Sequence, residues 1–206
     1  MKTHFFSLAL FLQLFVACTK NDDNSISSIC EDNLPASTTS GANTFGCCIN
    51  GNLLIPRDGT GTFGGNDDGF STWGDPTGNN EYIEIDVRDY KSEKTANLLI
   101  HIQNINQIGV SDYILNLSNG LNNIDGLNHN YLHCRIFNSV TNSYQYYRSF
   151  ENSGILKITG YDFINRTLSG KFNCKVKNTS NLNDIIEIKS GRFDINWQTL
   201  PNVYFP

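Results

Sequence analysis

Residues 81–103 read E-Y-I-E-I-D-V-R-D-Y-K-S-E-K-T-A-N-L-L-I-H-I-Q, and their rhythm decides the fold class. From Glu81 to Arg88, Ile83, Ile85 and Val87 alternate with Tyr82, Glu84, Asp86 and Arg88. From Ala96 to Gln103, Leu98, Ile100 and Ile102 recur at the same spacing. A strand points successive side chains to opposite faces, whereas a helix needs apolar repeats of three and four. Consecutive strands with short links pair antiparallel. The stretch predicts two paired strands with one face in a core.

The same rhythm recurs outward. Thr44–Asn50 and Asn52–Ile55 flank Asn50-Gly51, a dipeptide suited to a type I′ turn because both positions take positive φ. Ser111–Leu117, Tyr131–Phe137, Tyr144–Phe150, Gly154–Thr159, Leu168–Val176, Ile185–Lys189 and Arg192–Trp197 complete a set of about ten short strands. The expected fold is all-β: residues 44–206 form a single antiparallel β-sandwich or flattened barrel. Arg57–Asn80 is long and glycine-rich and reads as a loop. Its Gly59-x-Gly61-x-x-Gly64 has the letters of a dinucleotide fingerprint, but that chemistry needs a following helix to meet the pyrophosphate. No helical pattern follows. Asp67, Asp68 and Asp75 lack the spacing of an EF-hand. No cofactor is expected.

The chain opens with Lys2, an apolar run from Phe5 to Val16, and the small Ala17. The run is shorter than the ~20 residues of a membrane-spanning helix. Its order of basic, apolar and small residues marks positions 1–17 as a secretory signal. F-V-A-C, Phe15–Cys18, resembles the lipobox of bacterial lipoproteins. That resemblance implies cleavage before Cys18, a diacylglyceryl thioether on its sulfur and acylation of the new amino group, so the membrane is reached through a lipid anchor. T-K-N-D-D-N, Thr19–Asn24, is similar to the acidic signal that places Bacteroidota lipoproteins on the cell surface. Residues 18–43 read as the lipidated cysteine and a flexible tether with few apolar side chains to bury, reaching ~25–30 Å.

Three further stretches carry a family resemblance: L-P-A-S-T-T-S-G-A-N-T-F-G-C-C-I-N-G (Leu34–Gly51), G-I-L-K-I-T-G-Y-D-F-I-N-R-T-L-S-G-K-F (Gly154–Phe172) and I-E-I-K-S-G-R-F-D-I (Ile186–Ile195). Together with the lipobox they resemble an uncharacterised family of Bacteroidota lipoproteins, from which the chain departs at Cys48 and Cys174. The resemblance implies a cell-envelope, outer-membrane lipoprotein with one β-domain. It leaves surface and periplasmic sides open and implies no activity. With 15 basic against 20 acidic residues the chain carries −5, a balance unlike that of nucleic-acid binders, which cluster Lys and Arg against phosphates.

Beyond Cys18 the chain has Cys30, Cys47, Cys48, Cys134 and Cys174, an odd number that cannot all pair within one chain. Alternation sets Cys47 with Phe45 and Ile49 on the core side and Cys48 outward. Neighbours on an extended strand cannot bridge each other. Cys134 and Cys174 read as core, and Cys30 with Cys48 is the candidate disulfide. There is no C-x-x-C, and His129 and His133 lie ~13 Å apart along a strand, so no metal site is expected.

Pairing Tyr131–Phe137 with Tyr144–Phe150 as a symmetric hairpin sets Phe137 opposite Tyr144, Arg135 opposite Tyr146, His133 opposite Arg148 and Tyr131 opposite Phe150. Leu132, Cys134, Ile136 and Tyr147 then face the core. Rings interleaved with guanidinium groups stack on sugars or hold anionic groups. The same pairs also stabilise a sheet, by ~0.2–1 kcal/mol each. Candidate ligand-binding residues are Tyr131, His133, Arg135, Phe137, Tyr144, Tyr146 and Arg148, with a glycan or another envelope protein as partner. Glu84 and Asp86 share a strand face with Cα atoms ~6.5–7 Å apart. They are the alternative, a glycan hydrolase using paired carboxylates. A closed barrel carrying a small apolar ligand, in the lipocalin manner, is the other. G-x-S-x-G, H-E-x-x-H and P-loop patterns are absent, and no catalytic residue is assigned.

Overall fold

Eleven strands form one antiparallel sheet in the computed structural model, which describes residues 29–61, 63, 65–75, 81–92 and 96–206. The signal segment and Cys18 lie outside the described residues. The strands are β1 (Thr44–Ile49), β2 (Asn52–Leu54), β3 (Phe70–Asp75), β4 (Tyr82–Arg88), β5 (Asn97–Gln103) and β6 (Asp112–Leu115). They continue with β7 (Tyr131–Asn138), β8 (Ser143–Arg148), β9 (Gly154–Asp162), β10 (Thr167–Asn178) and β11 (Ile185–Asn196). Their order is β2-β1-β11-β10-β8-β7-β5-β4-β3. β10 forks the sheet: Thr167–Cys174 pair with β9, which carries β6, while Lys177 and Asn178 pair with β8. The arms curl into a half-barrel around a shared core.

Alternation sets that core. Ile83, Ile85 and Val87 of β4, Leu98, Ile100 and Ile102 of β5, and Leu132 and Cys134 of β7 belong to one buried cluster with Phe45, Phe172 and Phe193. Fully burying each large apolar side chain contributes ~1.5–3 kcal/mol. Asn50 (φ 48°) and Gly51 (φ 79°) both take the positive φ of the β1–β2 turn. Cys47, Cys134 and Cys174 are free, buried thiols in the cluster, acting as small apolar residues. Burial pushes the Cys174 thiol up to about 12.

Three elements differ from the sequence reading. β3 lies within the expected loop Arg57–Asn80 and, among the described residues, pairs only with β4. Phe70 is its one residue in the core cluster, so an edge strand with little apolar content shows no period of two. Ile185–Lys189 and Arg192–Trp197 are one strand, and the Ser190-Gly191 break between them is a bulge. Gly46 pairs with Arg192 while Cys48 pairs with Lys189, so β11 carries the extra residue. Ser190 takes φ 54° and donates its N–H to Asn173 Oδ1 at 2.7 Å. The buried positions change phase there, from Ile186 and Ile188 to Phe193 and Ile195.

The third difference concerns residues 29–43, expected in the flexible tether. They are bound to the sheet. Cys30 forms a disulfide with Cys48, Cα–Cα 6.0 Å. Asp194 accepts from Thr38 Oγ1 (2.6 Å) and from the N–H groups of Ser40 (2.9 Å), Gly41 (2.8 Å) and Ala42 (3.1 Å). Burial pushes the Asp194 carboxyl up, but bonds from Thr38, Ala42, Gly41 and Ser40 outweigh it and hold the carboxyl below its usual range. Composition counts apolar side chains and misses backbone donors converging on a distant carboxylate. Through Asp194 and the β1–β11 ladder, Leu34–Gly51 and Ile186–Ile195 are packed against each other.

Candidate functional site

The ladders carry one outward face across six strands, beginning at the edge strand β3, where Trp73 opposes Glu84. Glu84 opposes His101, which opposes Tyr131; Asp86 opposes Leu99, which opposes His133. Three of the four expected hairpin pairs form, His133 opposite Arg148, Arg135 opposite Tyr146 and Phe137 opposite Tyr144, whereas Tyr131 and Phe150 are not paired because β8 ends at Arg148. The ladder extends to β10, where Lys177 opposes Arg148. Directly opposed residues share a face, so these side chains line a single surface. Leu132, Cys134 and Tyr147 occupy the core side.

One end of this face is covered by residues 116–130. Glu84 Oε1 lies 2.8 Å from His101 Nδ1 and accepts the Asn123 N–H at 2.7 Å. His101 Nε2 lies 3.0 Å from Gln103 Oε1. The His101 ring is stacked between Tyr82 (5.2 Å) and Tyr131 (4.5 Å). Tyr131 donates its hydroxyl to Leu121 O at 2.9 Å, and burial, then the Glu84 charge, pushes that hydroxyl's pKa up. Gly126 passes so close to the Tyr131 hydroxyl that a Cβ there would collide with it. Tyr131 is fully buried and Glu84 is 1% exposed.

Two candidates move accordingly. Tyr131 supports the face from below and offers no surface to a ligand. Glu84 and Asp86 share the face, but a glycoside cannot reach the enclosed Glu84, and Asp86 Oδ2 is held by Arg88 Nη2 at 2.7 Å. His133 sits at the boundary. Its Nδ1 is 3.1 Å from Ser118 Oγ, which accepts from Gly120 N, an arrangement that suits a neutral ring accepting at Nδ1. Burial and then Arg148 lower its pKa to about 4.

The other end is open. Tyr144 is 38% and Tyr146 55% exposed. The Arg135 guanidinium lies over the Tyr144 ring at 4.5 Å, and Phe137 meets the same ring edge-on at 5.4 Å. Arg135 Nε is buried with no hydrogen-bond partner. Lys177 Nζ sits 4.1 Å from the Phe150 ring centroid. Among the described residues no carboxylate lies within ion-pair distance of Arg135, Arg148 or Lys177. This end therefore combines accessible rings with three cations that have no carboxylate partner among the described residues. Lys177 was invisible in the sequence because its place depends on a pairing between strands distant in the chain. No group of His, Cys, Asp and Glu among the described residues is arranged to hold a metal ion. No family model, curated protein or solved structure matches the chain.

Proposed function

We propose that the chain is a lipid-anchored protein of the cell envelope whose β-domain is a binding module. Its contact surface is the open end of the outer face: Arg135, Phe137, Tyr144, Tyr146 and Arg148, with Lys177 beside them. The partner is a glycan bearing acidic groups or an acidic patch of another envelope protein. The observation that carries this reading is the set of cations without carboxylate partners among the described residues, beside exposed tyrosine rings, in a chain of net charge −5. Guanidinium groups bind carboxylates and sulfates through paired N–H donors. Tyrosine rings pack on the C–H faces of sugars. The lipid anchor rests on Phe15–Cys18 and brings the module to a membrane.

Tyr144, Tyr146 and Arg148 replaced together by alanine should lower capture on an array of acidic and neutral glycans, or of envelope proteins in a pull-down, by tenfold or more. All three side chains are exposed, so the far-ultraviolet circular dichroism should stay unchanged. Undiminished capture by a folded variant sinks the assignment of this face. Incorporation of labelled palmitate, abolished by Cys18→Ala, checks the anchor separately.

A further inference from the structure

A second feature lies at the seam of the half-barrel, away from the β7–β8 face. The edge strand β3, the turn between β9 and β10, and the end of β11 enclose a cleft of about 340 Å³. Its lining includes Trp73, Trp197, Phe163 and Arg166 above the buried Ile83, Leu168 and Ile195. Trp73 is 63% and Phe163 44% exposed. Tyr161 and Phe163 both pack on Trp197, at 6.3 and 6.5 Å. Both tryptophans of the chain line this cleft, and both also border a neighbouring hollow lined by Asp58, Asp68 and Leu200.

Arg166 supplies the charge. Its backbone takes φ 59°, a left-handed conformation that ordinary L-residues rarely adopt. Among the described residues no carboxylate lies within ion-pair distance of it. The cleft thus pairs an aromatic rim and an apolar floor with an exposed cation that has no carboxylate partner among the described residues. Its volume lies at the small end of the ~300–1,000 Å³ of small-molecule sites. A sugar would leave hydroxyls against Ile83, Leu168 and Ile195, where an unpaired polar group is unfavourable. An apolar body has no such cost.

We propose that this cleft binds a small carboxylate with an apolar body, an acyl chain or an aromatic ring. The body lies against Trp73, Trp197 and Phe163 over the apolar floor, and the carboxylate reaches Arg166. This site is independent of the β7–β8 face, and each stands or falls without the other.

The tryptophans are the reporters, because the chain has no others. Titrating the full chain with octanoate should change the tryptophan emission saturably. 1-Octanol, with the same body and no charge, should bind roughly tenfold more weakly, the scale of one charge-assisted contact. Arg166→Asn removes the charge with a residue that tolerates positive φ, so it should bring octanoate to the level of octanol and leave octanol unchanged. Arg166→Lys should retain the preference for octanoate. No saturable change with octanoate at millimolar concentration overturns the proposal. So does undiminished octanoate binding by Arg166→Asn.

Discussion

The covered and open ends of one sheet face are built from the same ladder, yet they differ in how their polar groups are satisfied. At the covered end Glu84, His101 and Tyr131 are 1%, 2% and 0% exposed, and each is hydrogen-bonded within the protein. At the open end Tyr146 is 55% exposed and Arg135 keeps a buried Nε with no partner. Polar groups that satisfy one another stabilise a fold; groups left unsatisfied beside solvent can be satisfied by a ligand. The difference separates framework from the proposed binding surface, and it depends on where residues 116–130 lie.

The largest effect should come from breaking the covered end at its centre. Glu84→Ala leaves the buried His101 Nδ1 facing a gap away from water and removes the acceptor of the part-buried Asn123 N–H. Removing one partner of such a buried pair costs about 3 kcal/mol or more, to be read as a shift of the urea unfolding midpoint at unchanged slope. Glu84→Gln keeps an acceptor for Asn123 and should cost less than half as much. A loss below about 1 kcal/mol in Glu84→Ala would mean that the cover is held by something other than this network.

How much of the contrast was legible follows from what carries each contact. The β7–β8 register is written in side chains: Phe137, Arg135 and His133 alternate toward Tyr144, Tyr146 and Arg148, and one turn fixes the pairing. Residues 116–130 carry no comparable signal. Their apolar side chains Leu117, Leu121 and Ile124 are exposed, and the segment docks partly through backbone, the Asn123 N–H and the Leu121 carbonyl. Backbone groups are the same in every residue, so a pattern of side chains cannot place them. Asp194 shows the same limit, since it holds residues 38–42 largely through their N–H groups. The Trp73–Trp197 cleft escaped because β3, an edge strand, has no alternation to read.

His133, at the border of the two ends, gives the contrast a pH dependence. Its folded pKa of about 4 lies below the ~6.5 of an unfolded histidine. Between those values the unfolded chain binds the extra proton, so stability is complete above pH 6.5 and is lost as pH falls toward 4. Burial is the main cause; Arg148 and His101 also lower the value, while Glu84 and Asp86 oppose them. The loss attributable to this ring is at most about 2 kcal/mol by pH 5. Carboxylates titrate over the same range, so the measurement is a comparison. His133→Gln should lose less stability between pH 7 and pH 5 than the parent chain, and equal losses would remove His133 as the sensor.

The smallest effect tests whether the cover is one latch or several. Tyr131→Phe removes the hydroxyl that donates to Leu121 O while keeping the ring stacked on His101. One hydrogen bond of this kind contributes about 1 kcal/mol. Residues 116–130 keep other ties, Asn123 N to Glu84 and Ser118 to His133. The cover should therefore stay closed, and the Asn123 amide should exchange only a few-fold faster with solvent. Exchange of that amide at the rate of an open loop would show that the Tyr131 hydroxyl alone holds the cover. Glu84 and His101 would then become accessible through one bond, and the division between framework and binding surface would be a gate.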